Sequence, residues 1–227
     1  MVVVLVVLTF LICILIDRML RRSETRGVAS PEAAHHATPQ RSLLSPTYVG
    51  GFRIQEEMAY HPGHAWASPE APSLVRVGVD DLAGKLVGPV DGISLPEVGD
   101  ELVQGRQAWS LKRGDRKAAV LSPVTGRVVE VNLAVRERPD TIREDPYGKG
   151  WLLVVRADDV KACLNNLLSG NLIRRWMEDM CARLRVQLGG GMALSIPDGG
   201  TSVDDLSGNL DSAEWQSLVR EFLLTEP

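Results

Sequence analysis

The chain opens on an apolar run. Between Val2 and Ile16 only Thr9 is polar, and Asp17 ends the stretch. Arg18, Arg21, Arg22 and Arg26 follow directly. As a helix the run spans roughly 22 Å, short of a hydrocarbon core of about 30 Å, but Met19 and Leu20 extend it and Arg18 can snorkel. A cleaved signal peptide carries its basic residues before the apolar run and a small-residue site after it, and this segment does neither. Residues 1–22 are therefore expected to be a transmembrane helix that meets the membrane through residues 2–16. The positive-inside rule then places the arginines, and a single-pass protein's whole soluble domain, in the cytoplasm.

Residues 23–50 are polar and irregular, with Ser30-Pro31, His35-His36 and Thr38-Pro39, and read as a flexible linker. The histidine pair there is expected to be solvated and not a metal site. From about Tyr60 the pattern turns to short runs of period two. Leu74 to Val79 alternates, and Asp80 to Lys85 reads as a short helix. Ala108–Leu111, Ala118–Leu121, Gly126–Val131 and Trp151–Val155 are further strands bounded by Gly, Pro, Asp and Ser. Many short strands with frequent turns predict a mainly β barrel or sandwich over residues 51–159.

After Asp158 the period changes. Leu164, Leu168, Leu172, Trp176, Met180, Leu184 and Leu188 recur every four residues, with Leu167, Ile173 and Met177 beside them, which predicts an amphipathic helical stripe broken at Ser169-Gly170-Asn171. Met192–Ile196 and Thr201–Leu206, around Pro197-Asp198-Gly199-Gly200, read as a hairpin. Asp211 with Glu214 forms a capping box for a last helix whose apolar face is Trp215, Leu218, Val219, Phe222 and Leu223. Residues 160–227 are thus expected to be a small α+β appendage.

Composition narrows the function only slightly. The chain of 227 residues has a net charge of −4, which gives no sign of a nucleic-acid partner. Cys13, Cys163 and Cys181 are too few and too scattered for a disulfide framework or a zinc site, and the last two read as small core residues. No hydrolase elbow, zinc-protease helix or phosphate loop is present. The paired acids Asp80-Asp81, Asp158-Asp159 and Asp204-Asp205 are sequence neighbours, which on a strand point to opposite faces. The chain reads as a non-enzyme, with no metal site.

The strongest chemical feature is Lys112-Arg113-Gly114-Asp115-Arg116-Lys117. Gly114-Asp115 between two alternating runs is a two-residue hairpin turn. Arg113 then faces Arg116 and Lys112 faces Lys117, and like charges directly opposite cost up to about 1 kcal/mol. The tip is expected to be a solvated cluster of cations, or a binding tip for an acidic partner or anionic headgroups.

The middle of the chain resembles the glycine cleavage system H protein family. The residues that carry the resemblance are Tyr60-His61-Pro62-Gly63-His64-Ala65-Trp66, Leu95 to Glu101, Ser122-Pro123-Val124-Thr125-Gly126 with Val128 to Asn132, and Glu144 to Leu152. The resemblance implies a lipoyl-domain-like flattened β-barrel, a barrel-sandwich hybrid. It also implies a lysine at a hairpin tip, in a Glu-Ser-x-Lys-Ala setting, bearing a lipoyl group whose arm ferries an aminomethyl intermediate between enzymes. Seven residues before Ser122, where the family has that lysine, stands Asp115. Lys117, followed by Ala118-Ala119, echoes the family's Lys-Ala two positions late. His64 matches the family's histidine near the arm and is expected here to be partly exposed and structural.

The expected function is therefore a membrane-tethered, non-catalytic binding or scaffold module without a lipoyl group. One alternative is a true lipoyl carrier of glycine cleavage using Lys117 or Lys112. Another is an assembly or electron-transfer accessory subunit of a membrane complex. An unknown protein partner is expected at the basic tip or the appendage.

Overall fold

The structure, a computed structural model, describes residues 47–188 and 204–225. These all belong to one compact unit. The expected anchor lies outside the described residues, and no helix among those described is long and apolar enough to cross a membrane.

Eleven strands among the described residues form three sheets. β1 (Thr47–Val49) pairs with β2 (Phe52–Ile54) and begins inside the stretch expected to be linker. The main sheet is assembled from β3 (Ala59–Tyr60), β4 (Ala65–Ala71), β5 (Leu74–Val79), β7 (Glu101–Leu102), β10 (Gly126–Val131) and β11 (Leu153–Arg156). Their order is β3-β4-β5-β11-β10-β7. The third sheet has the order β6-β8-β9, with β6 at Gly92–Ser94, β8 at Gln107–Arg113 and β9 at Arg116–Leu121. Alternation explains the facing. In β5, Val75, Val77 and Val79 are fully buried, while the half-buried Arg76 lies over the Trp151 ring at 5.0 Å.

The residues of the resemblance hold this core together. Trp66 is fully buried, and its indole N–H donates to the Val79 carbonyl at 2.8 Å and to that of Pro146 at 3.2 Å. Burial pushes the Tyr147 phenol well above its usual range, and its hydroxyl donates to the Arg53 carbonyl at 2.7 Å. Helix α1 (Asp81–Val87) starts where expected, with Asp80 Oδ1 accepting from the Ala83 N–H at 2.8 Å. Two short helices follow, α2 (Leu133–Glu137) and α3 (Thr141–Glu144).

Past residue 159 come α4 (Val160–Asn165), α5 (Asn171–Gln187) and α6 (Ser212–Leu223). Tyr60 and Leu168 exchange both backbone hydrogen bonds at 2.8 Å, which stitches this region to β3. The break at 169–171 is as expected. The helical stripe is as expected at Ile173, Met177 and Leu184 but not at its centre. α5 buries Ile173, Met177, Cys181 and Leu184, whereas Leu172 is 57 % exposed and Trp176 and Met180 are only half-buried. A spacing of four drifts by about 40° per step on a helix of 3.6 residues per turn, so it cannot hold one face over 17 residues. The buried set steps back by three at Leu184 to correct the drift.

α6 matches its expected form. Asp211 accepts from the Ala213 and Glu214 N–H groups, Glu214 closes the capping box, and all five expected apolar residues are buried. The hairpin expected over 192–206 falls largely outside the described residues, and its described end, Asp204–Leu206, is a bend entering a turn. Both described parts of the supposed appendage share the barrel's hydrophobic core.

Candidate functional site

The β8–β9 hairpin has the expected register. Lys112 pairs with Lys117 and Arg113 with Arg116, leaving Gly114-Asp115 as the turn. Gly114 has φ +57, the left-handed conformation that a glycine-first hairpin turn requires. Its N–H donates to Asp91, and Asp91 N–H donates to the Lys112 carbonyl at 3.0 Å, which ties the turn to the chain entering β6.

The tip is not a uniformly solvated cluster, and here the expectation needs correction. Arg113 and Arg116 are half-buried and engaged. Arg113 forks onto Asp205, with Nη1 to Oδ1 at 2.9 Å and Nη2 to Oδ2 at 2.7 Å. Arg116 donates to the Leu210 carbonyl at 3.1 Å and to Ser212 Oγ at 3.2 Å, and its guanidinium lies 5.6 Å from the Trp215 ring centre. Lys112, Asp115 and Lys117 are exposed. Strand parity is the cause. Arg113 is in phase with the buried Leu111, and Arg116 with the buried Ala118. Lys112 and Lys117 occupy the opposite face. That parity was readable in the sequence; the partners of the arginines, more than ninety positions away, were not.

Beside the two lysines lies a groove of about 370 Å³ lined by Gly92, Ser94, Ser110, Lys112, Asp115 and Lys117, with part of Ile93 and Arg116. Lys117 also borders a second, polar groove of about 350 Å³ against α6, with Gln107, Gln216 and Arg220. It lines both; Lys112 lines only the first.

His64 departs from its expected place. It is fully buried and not partly exposed. Its Nδ1 lies 2.7 Å from Asp80 Oδ2, and its backbone has φ +63. The tilted Trp176 ring lies at 4.7 Å and the stacked Phe222 ring at 6.4 Å between ring centres, so helices α5 and α6 cover it. Of the thiols, burial pushes Cys181 up to about 11, the behaviour of an inert core residue. Cys163 is half-buried near the Thr125 carbonyl.

A lipoyl group needs an exposed primary amine for its amide bond. Asp115, at the turn, offers none. Lys117 and Lys112 do, so the residues present fit the group at Lys117 or Lys112 and not at the tip.

Comparisons with known proteins agree with the motifs. A family model described as Glycine cleavage H-protein matches residues 58–180. The glycine cleavage system H protein of Xanthomonas campestris pv. campestris (strain B100) is 40% identical over 126 residues, which cover 56% of this chain and 95% of that protein. The same figures hold for the glycine cleavage system H protein of Xanthomonas euvesicatoria pv. vesicatoria (strain 85-10). A crystal structure of a glycine cleavage system H protein from Mycobacterium marinum matches with a TM-score of 0.49 and 29% identity, over 56% of this chain and 98% of that one.

Proposed function

The chain belongs to the glycine cleavage H-protein family, whose members are non-catalytic lipoyl carriers, and from that premise we propose that it is a lipoyl carrier in glycine cleavage with Lys117 as acceptor. The observation that carries this reading is the position of Lys117: an exposed amine on the family's hairpin, followed by Ala118-Ala119, bordering two open grooves. When attached, the lipoyl group supplies a long mobile arm that takes up and hands on a small substrate fragment. The chain's own residues hold the base of that arm. Arg113 and Arg116 pin the hairpin from its inner face, so Lys117 projects from a fixed strand. Ser94 and Ser110 line the groove it overhangs, and Lys112 sits directly across from it. These comparisons favour the carrier alternative over the membrane scaffold.

One observation favours a second reading. The turn itself holds Gly114-Asp115, and both flanking arginines are strapped down, so the surface around the turn differs from a bare lysine tip. On that reading the protein is a binding module of the same fold without a lipoyl group. Intact mass separates the two. The full chain, co-produced with a lipoyl ligase and lipoate, gains the mass of one lipoyl group. Peptide mapping places it on Lys117; Lys117→Arg loses it and Lys112→Arg keeps it. An unmodified wild-type chain, from a culture whose other lipoyl proteins are loaded, overturns the carrier reading in favour of the binding module.

A further inference from the structure

The segment from Asp204 to Leu210 crosses the inner face of the hairpin before Asp211 begins α6, and it lies there as a bound peptide would. The socket is built by other elements. Helix α1 ends with carbonyls that have no partner within the helix. One of them, Lys85 O, accepts the Leu206 N–H at 3.0 Å. Another, Val87 O, accepts from Arg113 Nη1 at 3.0 Å. The same guanidinium forks onto the Asp205 carboxylate and reaches Ser207 Oγ at 3.1 Å. Arg143 lies 3.4 Å from Asp204. Leu206 is buried at 5% exposure. Gly88 follows α1 with φ +79, and a Cβ there would lie 2.2 Å from Arg113 Nη1 and 2.6 Å from Asp205 Oδ1. The socket thus reads two carboxylates, one backbone N–H, one apolar side chain and one hydroxyl, in the order Asp-Asp-Leu-Ser.

Two features separate this arrangement from ordinary core packing. The socket residues Lys85, Val87, Gly88, Arg113 and Arg143 all lie within the family match at 58–180, whereas the segment that fills it lies outside. The ionic part is also accessible: the Arg113 and Asp205 side chains are 22% and 29% exposed, and that of Asp204 is 75% exposed. An Arg–carboxylate fork at such a position can exchange one carboxylate for another.

We propose that this socket is a docking site for an acidic-apolar peptide of the Asp-Asp-Leu-Ser type on a protein partner, and that residues 204–207 are a built-in occupant competing with that partner. The proposal goes beyond the carrier reading and does not depend on it, because Arg113 and α1 lie on the face opposite Lys117. Tethering gives the internal segment an effective concentration in the millimolar range for a short link, so a partner gains the site only by binding more tightly or as the segment's hold weakens.

The test uses the full chain and a fluorescent, end-blocked peptide with the sequence of residues 203–210, followed by anisotropy. Asp205→Ala empties the fork and should bind the peptide about tenfold more tightly than the wild type. Adding Arg113→Ala should abolish that gain, and a peptide with both aspartates changed to asparagine should not bind. Asp205→Asn, a smaller perturbation, serves if Asp205→Ala unfolds. No saturable binding by a folded Asp205 variant, or binding unaffected by Arg113→Ala, overturns the proposal and leaves the segment a structural strap.

Discussion

Trp215 tests whether the last helix is part of the fold or a detachable cover. The residue is fully buried, and its indole N–H has no acceptor among the described residues. Truncating a buried aromatic to alanine costs about 3–5 kcal/mol. Loss of the Arg116 guanidinium over the ring adds about 0.5–1 kcal/mol. Against this, alanine removes a buried, unsatisfied donor, which returns about 1–3 kcal/mol. The net expectation for Trp215→Ala is a loss of about 3 kcal/mol. Trp215→Phe keeps most of the ring and the cation contact and also removes the orphan donor, so its cost stays below about 1.5 kcal/mol. Trp176 is the control: it is half-buried against Tyr60 and His64, so Trp176→Ala falls below the Trp215 loss. Urea unfolding followed by far-UV circular dichroism, with the slope checked for constancy, gives the three values. A Trp215→Ala loss below about 1 kcal/mol, with an unchanged slope, refutes the shared core. Equal losses for alanine and phenylalanine refute the expectation that the buried ring and its Arg116 contact carry the cost.

Two further outcomes are expected. Burial, and then the neighbouring His64, lower the His61 pKa from 6.5, and its Nδ1 accepts the Gly63 N–H at 3.0 Å, so the neutral ring is the form the fold uses. The unfolded chain therefore takes up the proton first, and stability present above 6.5 is lost as pH falls through the depressed folded value. His61→Asn keeps an acceptor without titrating, so its melting temperature falls less between about pH 7 and about pH 5 than the wild type's; parallel curves would falsify the assignment. Deleting residues 1–22 should move the protein from the membrane to the soluble fraction with its circular dichroism unchanged. Retention at the membrane would transfer the anchor to another part of the chain.

The sequence made the elements legible wherever local chemistry decides them. Strand β5, the Asp80 cap, the Gly114-Asp115 turn and the α6 capping box each depend on residues within a few positions of one another. The family's motif residues were legible for a related reason. Trp66, Pro146 and Tyr147 form contacts between distant segments, but their identities are so constrained by those contacts that they stand out together. The buried face of α5 was misplaced at its centre because a spacing of four mimics a stripe over two turns and then drifts. His64 was misplaced because its cover comes from Trp176 and Phe222, over a hundred positions away.

The hairpin shows where the boundary lies between what sequence carries and what it does not. Counting charges gave four cations and one carboxylate at an exposed tip. Counting parity divides the same residues: Lys112 and Lys117 go outward, while Arg113 and Arg116 go inward with Leu111 and Ala118. The division also matches side-chain chemistry. A planar guanidinium forks onto a carboxylate and a helix-end carbonyl on the half-buried face, where an ammonium has no such geometry. A lysine amine suits the open face, where acylation needs access. One hairpin therefore supports two separable roles, a carrier amine on one side and an anchoring surface on the other. Lys117→Arg should accordingly abolish modification and leave docking unchanged. Coupling between them would mean that the strap controls the arm.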